Sequence, residues 1–185
     1  MRAFISLKPC DETQKEFAGV QKEFMELLGD REVNKIKWET PGKYHLTMFF
    51  IGDVDNKKAK DVCSDFRKLN GKMTGEIDFE SVSLSAFPDL KYPRVIISET
   101  KNQDGKIFRL NDLIVKILDG YGFKQDKKFH PHITLGRVRR DRKVNIDCIE
   151  DVKFLLNFKI HELFFMESVL NSEGAAHTVV EKFDL

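Results

Sequence analysis

The hydrophobic and polar positions of the chain follow two patterns, alternation in short segments and helical spacing in longer ones. Alternation predicts half-buried strands, and apolar residues at helical spacing predict amphipathic helices. Strands are predicted over residues 2–7, 36–38, 44–51, 76–84, 94–99, from His132 onward, 159–167 and 178–183. Helices are predicted over residues 11–28, 57–69 and 106–118.

Turn and capping residues separate these segments. Asp11 is a candidate N-cap for the first helix, and Gly29-Asp30 is expected to end that helix. Residues 141–157 are polar and mixed, which is compatible with either a short helix or a loop. The last two strands are expected to form a hairpin around residues 171–174.

The order of these elements predicts the fold class. About seven or eight strands interleave with two or three helices, which indicates an α+β (mixed α/β) fold with a mixed sheet. The second half of the chain repeats the rhythm of the first. We therefore expect two lobes around a central cleft, formed by a single domain over residues 1–185.

One triplet of residues occurs in two of the predicted strands. It is His45-Leu46-Thr47 in the first half and His132-Ile133-Thr134 in the second. Successive side chains of a strand point to opposite faces, so each histidine shares a face with its threonine. Two such strands facing one cleft would offer two imidazoles and two hydroxyls to a ligand.

The opposite face of each motif strand is expected to be apolar and to pack on the core. It carries Leu46, Met48, Phe50, Ile133 and Leu135. The same alternation places Phe49 on the face of the first histidine. There it would narrow the cleft or offer a stacking surface to a base.

Composition restricts the class of protein. The 185 residues are 41% hydrophobic, enough for one substantial core, and 31 basic against 30 acidic residues give a net charge of +1. Such a balance excludes a strongly basic protein that coats nucleic acid. Cys10, Cys63 and Cys148 form no Cys-x-x-Cys pair, which disfavours a disulfide framework or zinc cluster and predicts a cytoplasmic location. The apolar run at the N-terminus is cut at Pro9, so no membrane segment is expected there.

Two histidines in one cleft are suited to phosphodiester hydrolysis. A neutral imidazole would deprotonate a water that attacks phosphorus, and a protonated imidazole on the opposite side would donate to the leaving oxygen. The two threonine hydroxyls would donate hydrogen bonds to the non-bridging phosphate oxygens. This set of groups needs no metal.

Two other interpretations of the histidines compete with an active site. A single histidine on a strand is more often a packing or surface residue, but repetition of the whole triplet favours a site. A zinc site would combine His130-Pro131-His132 with His45, His161 or His177. No acidic or cysteine ligand has a suitable spacing, so no metal or other cofactor is expected. His161 and His177 are expected to be surface or packing residues.

Several longer segments resemble one enzyme family. They are MRAFISL, HLTMFFIGDV, AFPDLKYPRV, FHPHITLGRVR and ELFFMESVLNSEGAAHTVVEKFDL. Together they resemble the two-histidine phosphoesterases, and among these the LigT-like RNA 2′,3′-cyclic phosphodiesterases, first called 2′-5′ RNA ligases. The resemblance covers nearly the whole chain. It implies a bilobal fold with two pseudo-symmetric lobes, antiparallel-rich sheets around a central cleft and helices outside.

The resemblance also implies an activity and residue roles. It implies metal-independent hydrolysis of an RNA-terminal 2′,3′-cyclic phosphate to a 2′-phosphate, with His45 as general acid and His132 as general base. Thr47 and Thr134 match the phosphate-holding threonines, and Arg137 matches a basic residue that attracts phosphate or stacks on a base. RNA ends or small cyclic nucleotides are the implied substrates, and a monomer is expected.

The position of Arg137 conflicts with simple alternation. Counting from His132, alternation places Thr134 and Gly136 on the cleft face and Arg137 on the other face. Arg137 reaches the cleft only if the strand ends or bulges after Leu135.

The sequence is also compatible with two alternative functions. One is 2′-5′ RNA ligation as the reverse reaction, and the other is a binding module that holds nucleotides or RNA ends without turnover. Intact histidines and threonines in both motifs count against the binding module. A nucleotidyl-transfer lysine motif, which would favour a dedicated ligase, is absent from the sequence.

Overall fold

Nine strands, three α-helices and one 3-10 helix form residues 1–171 and 174–185, the part of the chain that the computed structural model describes. The strands are β1 (Arg2–Leu7), β2 (Ile36–Trp38), β3 (Leu46–Asp53), β4 (Ile77–Phe87), β5 (Val95–Lys101), β6 (His132–Val138), β7 (Leu156–Ile160), β8 (Glu162–Asn171) and β9 (Gly174–Asp184). The helices are α1 (Asp11–Val33), α2 (Asn56–Lys68), α3 (Lys106–Asp119) and the 3-10 helix (Asp147–Asp151). None of the described helices has the length and hydrophobicity needed to cross a membrane.

The strands form two sheets, each with a similar order. The first sheet has the order β3-β1-β8-β9, and the second has the order β2-β6-β5-β4-β7. Apart from β2, the second sheet repeats the first, with a motif strand (β3 or β6) at the corresponding position. The α+β class with antiparallel-rich sheets in two similar lobes is therefore confirmed.

The expected mixed sheet is wrong, because every described strand pair is antiparallel. Strands that alternate with helices usually form parallel units whose helix packs on the same sheet. Here the helices after β1 and β5 cross to the other sheet. Helix α1 contacts β7 of the second sheet, and α3 contacts β3 of the first sheet.

Several boundaries differ from the sequence-based expectation. The expected strand over residues 159–167 is two strands, because the chain passes from the second sheet to the first at His161. Helix α1 reaches Val33, although Gly29, with φ 71°, interrupts its helical geometry where the end was expected. Cys10 is the N-cap, and Asp11 lies in the first turn. The C-terminal hairpin is confirmed by the pairing of β8 with β9, whereas the expected turn at residues 172 and 173 lies outside the described residues.

Each motif strand contains a β-bulge directly after its threonine. In β3, Thr47 pairs with Ser6 and Phe49 pairs with Ile5, so Met48 is an additional residue. A bulge of this kind reverses the alternation of the residues that follow it. Phe50 therefore lies on the same face as Thr47.

The bulge of β6 has the same position in its motif. Thr134 pairs with Ile97 and Gly136 pairs with Ile96, so Leu135 is the additional residue. Arg137 consequently lies on the face of Thr134. The bulge on which a cleft role for Arg137 depended is present.

Buried side-chain amides bind the carbonyl oxygen of each bulge residue. Asn111 of α3 donates from Nδ2 to the Met48 carbonyl at 2.9 Å. Gln21 of α1 donates from Nε2 to the Leu135 carbonyl at 2.8 Å. Both amides are buried, and a buried carbonyl without a donor costs free energy comparable to a lost hydrogen bond. Helices α1 and α3, each of which contacts the sheet opposite to the strand that it follows, thus stabilise the two bulges.

The close approach of β2 explains why residue 136 is a glycine. A Cβ atom at Gly136 would lie 2.7 Å from Ile36 Cγ2 and 2.9 Å from Trp38 Cε3. Gly136→Ala is expected to lower the free energy of unfolding by about 1–3 kcal/mol, since overpacking forces the neighbours to move. Urea denaturation measures this change. Gly19→Ala, at a helical position with no heavy atom within 4 Å of the added Cβ, is the control and should not destabilise the protein.

The contribution of the Asn111 hydrogen bond to stability can be tested by an isosteric substitution. Asn111→Leu fills a similar volume but removes the donor to the Met48 carbonyl, so the free energy of unfolding should fall by about 1–3 kcal/mol. The control is Asn56→Leu at the exposed start of α2, which should change stability by less than about 0.5 kcal/mol. Equal stability of the Asn111→Leu variant and the wild type would contradict the role of this bond.

Candidate active site

A cavity of about 710 Å³ lies where the two motif strands face each other. Thr47 and Phe50 line it from β3, and His132, Thr134 and Arg137 line it from β6. The cavity also extends along residues 124–129. The structure therefore brings four of the five residues expected at the site into one cavity.

His45, the fifth residue, directly precedes β3 and lies beside the same space. Its ring centroid is 5.3 Å from that of Phe4 and 5.4 Å from that of His177. Charges on His132 and Arg137 of the second sheet lower its pKa, so these groups lie within electrostatic range. Both motif histidines thus lie close to the same region of the cleft.

Both motif histidines bind a backbone carbonyl in the same way. His45 Nδ1 is 2.7 Å from the Lys43 carbonyl oxygen, and His132 Nδ1 is 2.7 Å from the His130 carbonyl oxygen. A carbonyl only accepts hydrogen bonds, so Nδ1 carries the proton in each neutral ring. Nε2 is then the atom that can take up or release a proton in the cleft.

Burial makes the neutral form of both rings more stable. It lowers the pKa of His45 from 6.5 to about 4, with smaller contributions from the charges of His177, Arg137 and His132. Burial is also the main cause that lowers the pKa of His132, while the carboxylate of Glu99 acts in the opposite direction. Protonation of either ring would be favoured by an anion placed between them.

Helix α1 fixes the backbone that leads into His45. The side-chain amide of Gln14 donates from Nε2 to the Tyr44 carbonyl at 2.8 Å. Its Oε1 accepts hydrogen bonds from the backbone N–H groups of Gly42 at 3.0 Å and Tyr44 at 3.2 Å. Three hydrogen bonds from one buried residue therefore position the segment before the first motif.

Aromatic rings flank each motif histidine. Phe87 packs edge-on against His132 with centroids 5.0 Å apart, and His130 lies next to the same phenyl ring at 5.3 Å. His177 packs edge-on against His45 and Phe4. His177 was expected to be a surface or packing residue, and it is both exposed and in contact with the first motif.

The two motifs present different side chains two residues after their bulge residues, Met48 and Leu135. Phe50 is 71% exposed on the cleft face, whereas Phe49 is only 2% exposed. The expectation that Phe49 faces the cleft and Phe50 the core is therefore wrong, because the bulge at Met48 reverses the alternation. Arg137 holds the corresponding position in β6, with its Nε 3.9 Å from a Glu39 carboxylate oxygen.

A zinc site is the alternative interpretation of the histidines. Within residues 1–171 and 174–185, no group of three or more His, Cys, Asp or Glu side chains is arranged to hold a metal ion. His130 and His132 lie in the cleft with ring centroids 6.1 Å apart, and His161 is exposed where the chain passes between the sheets.

Three residues that position the site were missed by the sequence analysis. They are Gln14, Gln21 and Asn111. Each lies at helical spacing within an apolar stripe, the glutamines with Phe17 and Phe24 in α1 and the asparagine with Ile107 and Ile114 in α3. A polar residue on an apolar helix face is the sequence signal for a buried hydrogen bond.

Comparison with known proteins places the chain in a family. Residues 7–97 match the family model described as LigT like phosphoesterase. An RNA 2′,3′-cyclic phosphodiesterase of Thermotoga maritima is 30% identical over 155 residues, which cover 83% of this chain and 79% of that protein. A protein of the same name from Archaeoglobus fulgidus is 25% identical over 186 residues, and the match covers both chains completely.

Solved structures have the same fold. The protein TT0787 of Thermus thermophilus superposes with a TM-score of 0.80 at 23% identity, covering 100% of this chain and 98% of the other. The E. coli LigT complex with 3′-AMP superposes with a TM-score of 0.75 at 16% identity, covering 100% and 97%. The antiparallel sheets, the doubled histidine motif and these matches lead to one conclusion: the chain belongs to the LigT-like phosphoesterase family.

Proposed function

We propose that this protein hydrolyses the 2′,3′-cyclic phosphate at RNA 3′ ends to a 2′-phosphate, with His45 as general acid and His132 as general base. The observation that carries the proposal is the matched geometry of the two histidines. Each ring is held by a 2.7 Å bond from Nδ1 to a carbonyl two residues earlier, which leaves Nε2 for proton transfer.

The reaction divides between the two rings. The Nε2 atom of neutral His132 accepts a proton from water as the water oxygen attacks phosphorus. The bond from phosphorus to the 3′ oxygen breaks, and protonated His45 donates its Nε2 proton to that oxygen. The products are a 2′-phosphomonoester and a free 3′ hydroxyl, and the proton balance between the two rings is restored by exchange with solvent.

The remaining cleft groups suit a phosphate and a base. Thr47 and Thr134 line the cavity, which supports a role as donors to the non-bridging oxygens, where negative charge increases in the transition state. Arg137 adds a positive charge that favours the phosphate. Phe50 offers an exposed ring on which the terminal base can stack. The protonated state of His45, unfavourable in the free protein, becomes favourable beside the bound anion.

The relatives support this substrate class. The Thermotoga and Archaeoglobus proteins are named RNA 2′,3′-cyclic phosphodiesterases, and E. coli LigT was solved with the nucleotide 3′-AMP. An RNA end or a small cyclic nucleotide is the proposed ligand. Ligation to a 2′-5′ bond would be the same ring opening in the same cleft, with the 5′ hydroxyl of a second RNA in place of water; it is the reverse of cleavage of a 2′-5′ bond to a cyclic phosphate.

We further propose that the protein acts as a monomer in the cytoplasm. Cys10, Cys63 and Cys148 are free thiols, which is typical of proteins in a reducing compartment. The proposed reaction needs only groups from one chain.

Substitution of either motif histidine tests the mechanism. His45→Ala and His132→Ala are each expected to lower kcat on a 2′,3′-cyclic phosphate by roughly 10²–10⁴-fold, which is the usual contribution of a general acid or base. Turnover by the wild type should persist in EDTA, because no step uses a metal. The matched control is His161→Ala, an exposed histidine away from the cavity, which should keep wild-type turnover.

Product analysis and binding complete this test. Recovery of a 3′-phosphate would mean that the acid and base roles, or the binding polarity, are reversed. Full activity of either motif variant would contradict the mechanism. Calorimetric binding of a cyclic nucleotide without any product would instead support a non-catalytic binding module.

The lowered pKa values predict the pH dependence. Activity needs one ring protonated and the other neutral, so kcat/KM rises through the lower pKa of the free protein and falls through the higher one. Both pKa values lie below the ordinary 6.5, so the falling limb of kcat/KM is expected on the acid side of that value. The falling limb of kcat should lie at higher pH, because the bound phosphate favours the protonated ring.

The carboxylate of Glu99 provides a check on this assignment. It raises the pKa of His132, so Glu99→Gln should move the limb of the kcat/KM profile that reports His132 to lower pH and leave the other limb in place. A kcat/KM profile that falls only well above pH 6.5 would contradict the pKa directions.

A further inference from the structure

The cavity extends beyond the motif strands along one continuous stretch of chain. All six residues from 124 to 129, the basic segment, line it. The basic segment reads Lys-Gln-Asp-Lys-Lys-Phe, so it has three lysines against one aspartate. The segment therefore carries a local excess of positive charge, although the net charge of the whole chain is only +1.

The basic segment joins the two halves of the site. Gln125 Nε2 is 3.4 Å from the Met48 carbonyl oxygen, at the bulge of β3. At its other end the ring of Phe129 packs edge-on against Phe108, with centroids 5.9 Å apart, and the chain then enters the second motif. The segment is therefore attached to β3 at Gln125 and to α3 at Phe129, and Lys127 and Lys128 lie between these two attachment points.

The three lysines of the basic segment differ in their partners. Lys124 forms an ion pair with Asp119. Lys127 and Lys128 are exposed and form no ion pair with any residue in the described ranges 1–171 and 174–185. Their ammonium groups are available to a ligand at the cleft.

Aromatic rings accompany the lysines. Phe87 and Phe129 line the same cavity, and both are partly exposed. Ammonium groups next to aromatic rings are typical of surfaces that bind single-stranded nucleic acid, where phosphates meet cations and bases stack on rings.

We propose that the basic segment binds the backbone phosphates on the 5′ side of the terminal nucleotide, so that an oligoribonucleotide is a better substrate than a cyclic mononucleotide. The proposal rests on the function proposed above. A 2′,3′-cyclic mononucleotide has a single phosphate group, and that group lies between the motif histidines. Only a longer RNA carries further phosphates that Lys127 and Lys128 can bind.

Two substrates with the same terminal base separate the contribution of the terminal cyclic phosphate from that of the backbone phosphates. One is adenosine 2′,3′-cyclic phosphate, and the other is a tetraribonucleotide whose terminal adenosine carries the cyclic phosphate. For each, kcat/KM is measured at about 50 and 200 mM salt, and the ratio of the oligonucleotide value to the mononucleotide value is compared. Two phosphate contacts on a single strand predict that the wild-type ratio falls about sevenfold over this range.

Removal of both Lys127 and Lys128 should abolish the advantage of the oligonucleotide over the mononucleotide. In the Lys127→Ala/Lys128→Ala variant the ratio at low salt is expected to fall about tenfold, and its salt dependence should disappear. The control is Lys15→Ala/Lys22→Ala, which removes the same charge from the exposed surface of α1 and should retain the wild-type ratio. An unchanged ratio in the Lys127→Ala/Lys128→Ala variant, or an equal loss in the control, would overturn the proposal.

A binding measurement keeps this test independent of turnover. If the wild type opens neither cyclic phosphate, the proposed function fails. Fluorescence anisotropy of a labelled tetraribonucleotide ending in a 3′-phosphate then decides on the basic segment. Binding that is weakened about tenfold in the Lys127→Ala/Lys128→Ala variant, and not in the control, supports the proposal. Equal binding by all three proteins overturns it.

Discussion

Two buried hydrogen bonds, from Asn111 to the Met48 carbonyl and from Gln21 to the Leu135 carbonyl, hold the arrangement on which the cleft depends. A bulge interrupts the regular pairing of a strand, and a buried carbonyl at that point needs a donor from elsewhere. Each amide supplies such a donor, in addition to the Glu39 backbone N–H at the Leu135 carbonyl and the Gln125 amide at the Met48 carbonyl. The cleft therefore depends on polar groups within an otherwise apolar helix face.

The same two bonds tie the sheets together, because the donors come from crossed helices. Helix α1 follows a strand of the first sheet and reaches the motif strand of the second, whereas α3 does the reverse. The packing of Phe17 of α1 against Phe158 of β7 adds an apolar contact between α1 and the second sheet. Movement of one sheet relative to the other would break polar and apolar contacts together, so the distance between the motifs is constrained by the core.

The local sequence pattern predicted the helices, most strands and the strand face that each histidine shares with its threonine. It gave the wrong strand face for Phe49, Phe50 and Arg137, because strict alternation assumes that each residue pairs with one residue of the neighbouring strand. The bulges depend on the register with β1 and β5 and on amides distant in sequence, which no local window contains. The division of residues 159–167 at His161 was missed for a related reason. Which sheet a strand joins is decided by the free edges of β4 and β1, not by its own residues.

The unlike side chains after the two bulges have a consequence for ligand orientation. The backbone of the cleft is close to a twofold-symmetric frame, and such a frame would accept a ligand and its half-turn rotated image about equally. Rotation of the ligand would exchange the positions of the two histidines relative to it, and with them the proposed roles of acid and base. Phe50 on one side and Arg137 on the other remove this degeneracy, because rotation would exchange an aromatic face for a cation. Under the proposed function, a fold made of two similar halves would thereby distinguish the two ends of its ligand.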